Sequence, residues 1–130
     1  MDESALSRLQ QALRVLALLV ALGLPAGLWW GGGQPVAVGL LRPPWDKLAH
    51  AGVFAILACA IGYASGWRGG RMLLAGFVGA MLVGLVDEWH QLHLPGRSAG
   101  LDDLAADAVG AAMGSSSLLI RDRARAWLLR

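Results

Sequence analysis

Residues 87–107 read DEWHQLHLPGRSAGLDDLAAD and join two long apolar runs of the chain. This stretch holds five carboxylates, two histidines and one arginine within 21 residues. Ionisable groups beside lipid are costly, and in membrane proteins they usually face a bundle interior or a water-filled cavity. The stretch therefore predicts the polar end of a helical membrane bundle, where polar residues from the ends of other apolar runs should meet it.

The composition indicates a membrane protein of one domain. Hydrophobic residues make up 56% of the 130 residues and charged residues 15%, against roughly 45–50% and 25% in soluble domains. The net charge is only +2, and no basic stripe with interleaved aromatics is visible, which argues against a nucleic-acid partner. Cys59 is the single cysteine, so one chain holds neither a disulfide framework nor a cysteine zinc site.

Four apolar runs are each close to the length needed to cross roughly 30 Å of hydrocarbon. The runs occupy residues 15–30, 48–67, 72–86 and 104–120. The third is short by itself, but helical continuation through residues 87–91 brings it to full length before Pro95 and Gly96 end it. The short connection between the second and third runs makes them an antiparallel hairpin.

The predicted fold is therefore all-α, a polytopic membrane protein with an antiparallel bundle of about four transmembrane helices over residues 15–120. Residues 1–14 form a cytoplasmic N-terminal segment. Residues 121–130 form a basic cytoplasmic tail, which lies on an anionic membrane surface or is a solvated helix end. The first run has the positive start of a signal peptide, but residues 24–27 are a poor cleavage site, so we expect a retained helix.

Positively charged residues fall mainly on one side of the predicted membrane. That side carries eight arginines, Arg8, Arg14, Arg68, Arg71, Arg121, Arg123, Arg125 and Arg130. The opposite side carries three positive residues, Arg42, Lys47 and Arg97. Because cytoplasmic loops are enriched in Lys and Arg, both termini are expected in the cytoplasm and residues 87–107 at the extracytoplasmic face of the cell membrane.

Helical spacing predicts which residues of each run face inward. Residues three or four apart share one helix face, and small residues on that face let a neighbouring helix approach closely. In the third run this face consists of Gly76, Ala80, Gly84, Asp87 and Gln91. In the second run it consists of Lys47, His50, Phe54, Ala58 and Gly62. In the fourth run it consists of Asp103, Asp107, Gly110 and Gly114.

The polar ends of these three faces are expected to meet. The predicted constellation consists of Lys47, His50, Asp87, Gln91, Asp103 and Asp107, with His90 and Arg97 at its rim. Glu88 falls off the inner face, so its carboxylate is expected to meet water, and Trp89 and His93 are expected at the interface. Asp102 stands at a helix start, where a carboxylate caps free backbone N–H groups.

Four short motifs, in order, resemble those of the VanZ-like membrane proteins. They are DKLAH at residues 46–50, DEWHQ at 87–91, PGR at 95–97 and DLAAD at 103–107. Together they are more specific than any one alone, and the resemblance covers roughly residues 12–120. The prototype of that family is associated with low-level resistance to the glycopeptide teicoplanin. The resemblance therefore implies a role in the cell envelope, without implying a particular reaction.

Three classes of function fit these residues, and the first is an enzyme that acts on an envelope lipid or another cell-wall-linked anionic substrate. The residues expected to bind that substrate are Lys47, Gln91, Arg97 and Asp103, with the two cations holding a phosphate. The residues expected to transfer protons or attack the substrate are His50, Asp87, His90 and Asp107. The expected partners are thus the lipid bilayer and an anionic lipid or cell-wall intermediate.

The other classes use the same residues differently. A divalent metal would take ligands from His50, Asp87, His90, Asp103 and Asp107, since histidine and carboxylate suit zinc or manganese. The second class is a binding or shielding protein that changes the access of an amphiphilic antibiotic to its envelope target without chemistry. The third is a structural or transport helper in which buried charges, such as Asp107 paired with Lys47 or Arg97, stabilise the bundle or relay protons.

Overall fold

The computed structural model describes residues 3–128 and contains four α-helices and one short 3₁₀ turn in that range. The helices are α1 (Glu3–Gly32), α2 (Trp45–Ala64), α3 (Gly69–Gln91) and α4 (Leu101–Leu128), and the 3₁₀ turn is Pro35–Ala37. Residues 3–128 contain no strand, so the predicted all-α fold is confirmed. Two arginines of the predicted tail are not covered: Arg130 and the side chain of Arg125 lie outside the described part of the chain.

The helices follow the predicted runs but extend beyond them. α3 continues through Asp87 to Gln91, as the length argument requires. α1 is helical from Glu3, the first described residue, because the residues before the apolar run, rich in Leu, Ala, Gln and Arg, are themselves good helix formers. α4 continues through the arginine-rich residues to Leu128. Apolar runs therefore mark the part of each helix that faces lipid or core, while good helix formers outside the runs continue the helix beyond that part.

Successive helices run in opposite directions, which places α2 and α4 side by side and parallel. Their contacts advance together along both helices, from Lys47 with Asp103 at one end to Tyr63 with Arg121 at the other. We call the end that carries residues 45–50, 87–91 and 101–107 the polar end. The opposite end carries Arg14, Arg68, Arg71 and Arg121, and we call it the basic end.

Small residues allow α2, α3 and α4 to pack closely. A Cβ added to Gly110 or Gly114 would overlap the backbone of Ala51 or Ala55 in α2. On α3, a Cβ added to Gly76 would lie 2.5 Å from the Ala58 carbonyl oxygen. The predicted inner face of α3 is confirmed, since all five of its residues are buried: Gly76, Ala80, Gly84, Asp87 and Gln91.

Three of the described helices, α1, α2 and α3, are long and apolar enough to cross a membrane. α4 contains Asp107 and a run of three serines at 115–117, which lower its apolar character. Asp107 and Ser115 are buried in the bundle. α4 lies alongside α2 over the length of α2, with Asp107 and Ser115 turned toward the neighbouring helices and Ser116 and Ser117 exposed.

α1 is the outermost helix of the bundle. It packs against α2 and, less extensively, against α3. Leu24 and Leu28 are the α1 residues that touch the core around Phe54 and Leu57. Ala17 is the one residue of α1 that is buried, and the outward-facing leucines are suited to lipid. This loose contact leaves a space between α1 and the three-helix core at the polar end.

Candidate functional site

The Lys47 ammonium lies among three carboxylates at the polar end. It forms an ion pair with Asp103, a second with Asp102 at 2.8 Å and a third with Asp46 at 3.2 Å. An ammonium group has three N–H donors, so the three carboxylates match its bonding capacity. Asp102 precedes the apolar part of α4, and the hydrogen bond from Lys47 keeps the pKa of its carboxyl below the ordinary value.

This ion cluster joins the first turns of α2 and α4. Lys47 and Asp46 come from α2, while Asp102 and Asp103 come from α4. Asp102 therefore does more than cap its own helix, because its carboxylate also contacts the Lys47 ammonium. The side chain of Asp102 is 68% exposed and that of Asp103 is 14% exposed. Of these two α4 carboxylates, Asp102 is the one that another anion could replace at Lys47.

The second pair of the site is His50 with Asp107, one helical turn further from the polar end. The His50 Nδ1 lies 2.8 Å from the Asp107 Oδ1, and Asp107 is fully buried. With the carboxylate ionised, Nδ1–H donates to it, which leaves Nε2 as the group that exchanges protons. Nε2 lies 4.0 Å from the Asp103 Oδ1. A histidine oriented by a buried carboxylate is the arrangement of a general acid or base.

The opposite side of the Asp107 carboxylate packs against α3. Its Oδ2 is buried without a hydrogen-bond partner among residues 3–128. A Cβ added to Gly84 would lie 2.9 Å from this oxygen. The glycine therefore makes room for the carboxylate, and the carboxylate is confined between α2 and α3. Gly84 was predicted as a packing residue, and the structure shows that it also accommodates the buried acid.

Asp87 and Gln91 form a separate pair on α3. The Gln91 Nε2 donates to the Asp87 Oδ2 at 2.8 Å, and both side chains are buried. Asp87 borders a small cavity of about 230 Å³ that is also lined by Pro25 and Trp29 of α1. Within the described chain, no hydrogen bond links Asp87 to His50 or Asp107. Asp87 is thus near the His50 pair but faces α1.

Glu88 is buried, and the expectation that its carboxylate meets water is wrong. It is 9% exposed, and its Oε2 accepts a hydrogen bond from the Gly100 N–H at 2.8 Å. The loop between α3 and α4 folds back over the end of α3, so a second face of that helix is covered. Helical spacing describes one face at a time and gives no information about a returning loop.

His90 and Arg97 connect α1 to the polar end. The His90 ring stacks on Trp29, with ring centroids 3.8 Å apart and planes 7° from parallel. Arg97 donates from Nη2 to the Gly32 carbonyl oxygen at 3.1 Å, while its Nε has no partner among residues 3–128. His90 is therefore held against α1 and not against the His50 pair, whereas Arg97 keeps N–H groups for another acceptor.

A cavity of about 720 Å³ lies between α1, the start of α2 and the two loops at the polar end. Its outer part is lined by charged side chains, among them Lys47, Arg97 and Asp103. Its inner part is apolar and lined by residues one to three turns deeper in α1 and α2, Gly23, Leu24, Gly27, Leu28, Val53 and Phe54. His50 lies where the two parts meet. We call this space the polar-end cavity.

The glycines of α1 were missed as site residues in the sequence. Gly23, Gly27 and Gly31 are four residues apart, which places them on one helix face. A Cβ added to any of the three would meet nothing within 4 Å. Their spacing is visible in the sequence, but it suggests helix packing. The structure shows instead that this face borders the polar-end cavity.

The residues expected to hold a metal are brought together only in part. His50, Asp103 and Asp107 lie close to one another, while Asp87 faces Gln91 and His90 stacks on Trp29. Among the described residues, no three His, Cys, Asp or Glu side chains are arranged to hold a metal ion.

Comparison with known proteins identifies one family. The sequence model described as VanZ/LLP1 matches residues 5–121, which include α2, α3 and all of the polar-end residues described above. No curated protein and no solved structure gives a significant match. The match spans all four motifs noted in the sequence, from residue 46 to residue 107.

Proposed function

The chain belongs to the VanZ/LLP1 family, and we propose that this member binds an envelope lipid, or a cell-wall intermediate linked to one, by its anionic headgroup. The observation that carries the proposal is the polar-end cavity, which changes from charged to apolar along its depth. A volume of about 720 Å³ falls in the range of roughly 300–1,000 Å³ that is usual for ligand sites. An amphiphile matches such a gradient.

The apolar part of the cavity suits the first segment of a hydrocarbon chain. Gly23 and Gly31 are eight residues apart in α1, which corresponds to roughly 12 Å along the helix. Because these positions carry no side chain, a lipid chain can lie against the α1 backbone. Val53 and Phe54 provide the facing apolar surface from α2.

The charged part suits a phosphate or carboxylate headgroup. Arg97 lines the cavity and, among the described residues, donates only from Nη2 to the Gly32 carbonyl oxygen, so its other terminal N–H groups can bind such an anion. Lys47 is already balanced by carboxylates, so we expect a headgroup to reach it by displacing the exposed Asp102. Lys47 can therefore bind the headgroup only after the Asp102 side chain has moved away from it.

Proton transfer at this headgroup is a second candidate function, favoured by the His50–Asp107 pair. His50 lies at the border between the charged and apolar parts of the cavity, which is where the bond between headgroup and chain would sit. An oriented imidazole there would act as general base or acid toward that bond. A protein that only binds lipid, and so alters the surface reached by teicoplanin, needs the cavity but not the oriented imidazole.

We expect Gly27→Leu to block lipid binding without unfolding the protein. The added side chain would fill the apolar part of the cavity, where it meets no other atom of the chain within 4 Å at its Cβ. Leucine also favours a helix more than glycine does, by roughly 0.8–1 kcal/mol. Titration of the purified protein with farnesyl phosphate should show at least tenfold weaker binding, and uncharged farnesol should bind weakly to both proteins.

The matched control for this experiment is Gly52→Leu. Gly52 lies on α2, an added Cβ there also meets nothing within 4 Å, and the residue does not line the polar-end cavity. Its binding of farnesyl phosphate should equal that of the unchanged protein. If Gly27→Leu binds as tightly as Gly52→Leu, the cavity is not the lipid site.

The extracytoplasmic position of the polar end is part of the proposal, and thiol labelling in intact cells tests it. In a Cys59→Ala background, Gln34→Cys and Ser98→Cys should react with an impermeant thiol reagent, because both positions are exposed in the loops of the polar end. Gly70→Cys, exposed in the first turn of α3 at the basic end, should react only after the cells are opened. We choose Gly70 over Gly69, whose φ of +58° favours glycine. Reversed labelling would show that the polar end faces the cytoplasm.

A further inference from the structure

We propose that the basic end contains a second lipid site, a groove that binds the phosphate headgroup of an anionic phospholipid. The groove has a volume of about 540 Å³ and lies between the first turns of α1, the turn joining α2 to α3 and the last part of α4. Three arginines line it, Arg14, Arg68 and Arg121. It is at the opposite end of the bundle from the polar-end cavity, so this proposal does not depend on the function proposed above.

The backbone makes room for one of these arginines. Gly66 has a φ of +71°, a conformation that side chains rarely adopt. The guanidinium of Arg14 lies so close to Gly66 that a Cβ there would collide with it. The turn after α2 thus holds a cation from α1 against bare backbone, although α1 touches the bundle only loosely elsewhere.

The remaining contacts fix the charged side chains of the groove in an arrangement that suits an anion. The guanidinium carbon of Arg121 lies 4.8 Å from the centre of the Tyr63 ring, a cation–π contact that holds the arginine over the wall of the groove. The one carboxylate in the lining, Asp122, accepts a hydrogen bond from the Gly69 N–H at 3.0 Å. The Asp122 carboxylate is therefore hydrogen-bonded to the backbone at the first turn of α3.

The positive charge of the groove is left largely uncompensated. Within residues 3–128, none of Arg14, Arg68 and Arg121 forms a salt bridge, so their N–H donors are open to an added acceptor. Arginine clusters bind phosphate through charge-assisted, often bidentate hydrogen bonds. Basic pockets between transmembrane helices bind anionic headgroups in the same way.

The level of the groove along the bundle favours a phospholipid over a soluble phosphate as its ligand. It lies just past the end of α2 and just before the start of α3, which is the level of the headgroups for helices that end at the membrane surface. The exposed Trp67 lines it, and tryptophan is enriched at that level. A phosphate anchored there by its own acyl chains is present at high local concentration.

The test is a titration of the purified full chain, in a neutral detergent, with short-chain phosphatidylglycerol, followed by native mass spectrometry. Short-chain phosphatidylcholine and soluble glycerol 3-phosphate are the two reference ligands. The groove variant combines Arg14→Gln, Arg68→Gln and Arg121→Gln. The matched control combines Arg8→Gln, Arg71→Gln and Arg123→Gln, which removes the same charge from the same end without touching the groove lining. Thermal unfolding in detergent alone verifies that each variant is folded.

The unchanged protein should bind phosphatidylglycerol more tightly than either reference ligand. Each groove arginine should contribute about fivefold, so the triple variant should lose on the order of a hundredfold in affinity, and the control less than about threefold. Equal losses in the two triple variants would mean general surface attraction and would overturn the proposal. Glycerol 3-phosphate binding as tightly as phosphatidylglycerol would overturn the choice of a lipid. If the triple variant does not fold, the single change Arg68→Gln against Arg71→Gln decides by the same comparison.

Discussion

Replacing Gly110 or Gly114 with leucine is expected to prevent α2 and α4 from packing and to remove most of the folded protein from the membrane. A side chain at either position would collide with the carbonyl of Ala51 or Ala55, and a backbone carbonyl in a helix cannot rotate away. Overpacking typically costs about 1–3 kcal/mol and occasionally more. The cost here should lie at or beyond that upper limit, because the obstacle is backbone and the whole helix must shift.

The shift would also separate the polar pairs, since the same two helices supply Lys47 with Asp103 and His50 with Asp107. A total stability of about 5–15 kcal/mol leaves little reserve against these losses together. Membrane abundance and the thermal unfolding midpoint in detergent measure the effect. Gly52→Leu, a glycine of α2 with open space around its Cβ position, is the control and should leave both unchanged. A normal midpoint for Gly110→Leu would show that α2 and α4 are further apart than described.

For the second candidate function, proton transfer at the headgroup, His50→Ala and Asp107→Asn are each expected to abolish activity while the protein accumulates in the membrane at near-normal levels. Asn has the shape of Asp but no charge, so it can no longer stabilise a protonated imidazole. Loss of a positioned general acid or base typically reduces a rate by about 10²–10⁴-fold. Survival of bacteria on teicoplanin, with and without the expressed protein, is the phenotypic assay, and immunoblotting of membranes measures abundance.

The same variants separate the three classes of function. An enzyme loses activity with Asp107→Asn and keeps its fold. A protein that only binds or shields lipid should tolerate the change, because the cavity is unaltered. A purely structural ion pair should fail in abundance and activity together, since removing one partner of a buried pair costs roughly 3–5 kcal/mol. Asp87→Asn and Arg97→Ala should also abolish activity if their predicted roles hold.

Two neighbouring residues provide the contrast. His93→Ala should have little effect, because its side chain is exposed and its contacts, with the ring and the carbonyl oxygen of Trp89, stay within one helix turn at the surface. Glu88→Gln should also have little effect, since the amide oxygen of Gln can still accept the hydrogen bond from Gly100 that anchors the loop before α4. If these changes are as damaging as His50→Ala, the polar end requires polarity in general and the His50 pair has no special role.

Much of the helical framework was predictable, because it depends on local spacing. The inner face of α3 followed from small and polar residues three or four positions apart, and the continuation of α3 to Gln91 followed from the length needed to cross the bilayer. The same spacing put Asp107 and His50 on inward faces. Their pairing is consistent with that placement, since two inward faces of parallel neighbouring helices must meet at matching depths.

Other features depend on contacts between segments that are distant in the chain. The burial of Glu88 needs the loop that returns over the end of α3, and the position of His90 needs Trp29 from α1. Neither contact has a signal in the residues around it. Lys47 was predicted to bind substrate. Its three carboxylate partners come from both its own helix and α4, so these ion pairs can be seen only once the first turns of the two helices are known to lie side by side.

The sequence by itself determined the all-α membrane fold, the faces of three helices and the family, because periodicity, apolar length and short motifs are properties of single segments. Only the tertiary structure decided that the glycine face of α1 borders a cavity, that Asp87 turns toward α1 and that three arginines surround a groove at the basic end. The physical reason is the loose packing of α1. An apolar helix with small residues on one face is equally suited to a tight contact and to a space, and the position of its neighbours selects between them.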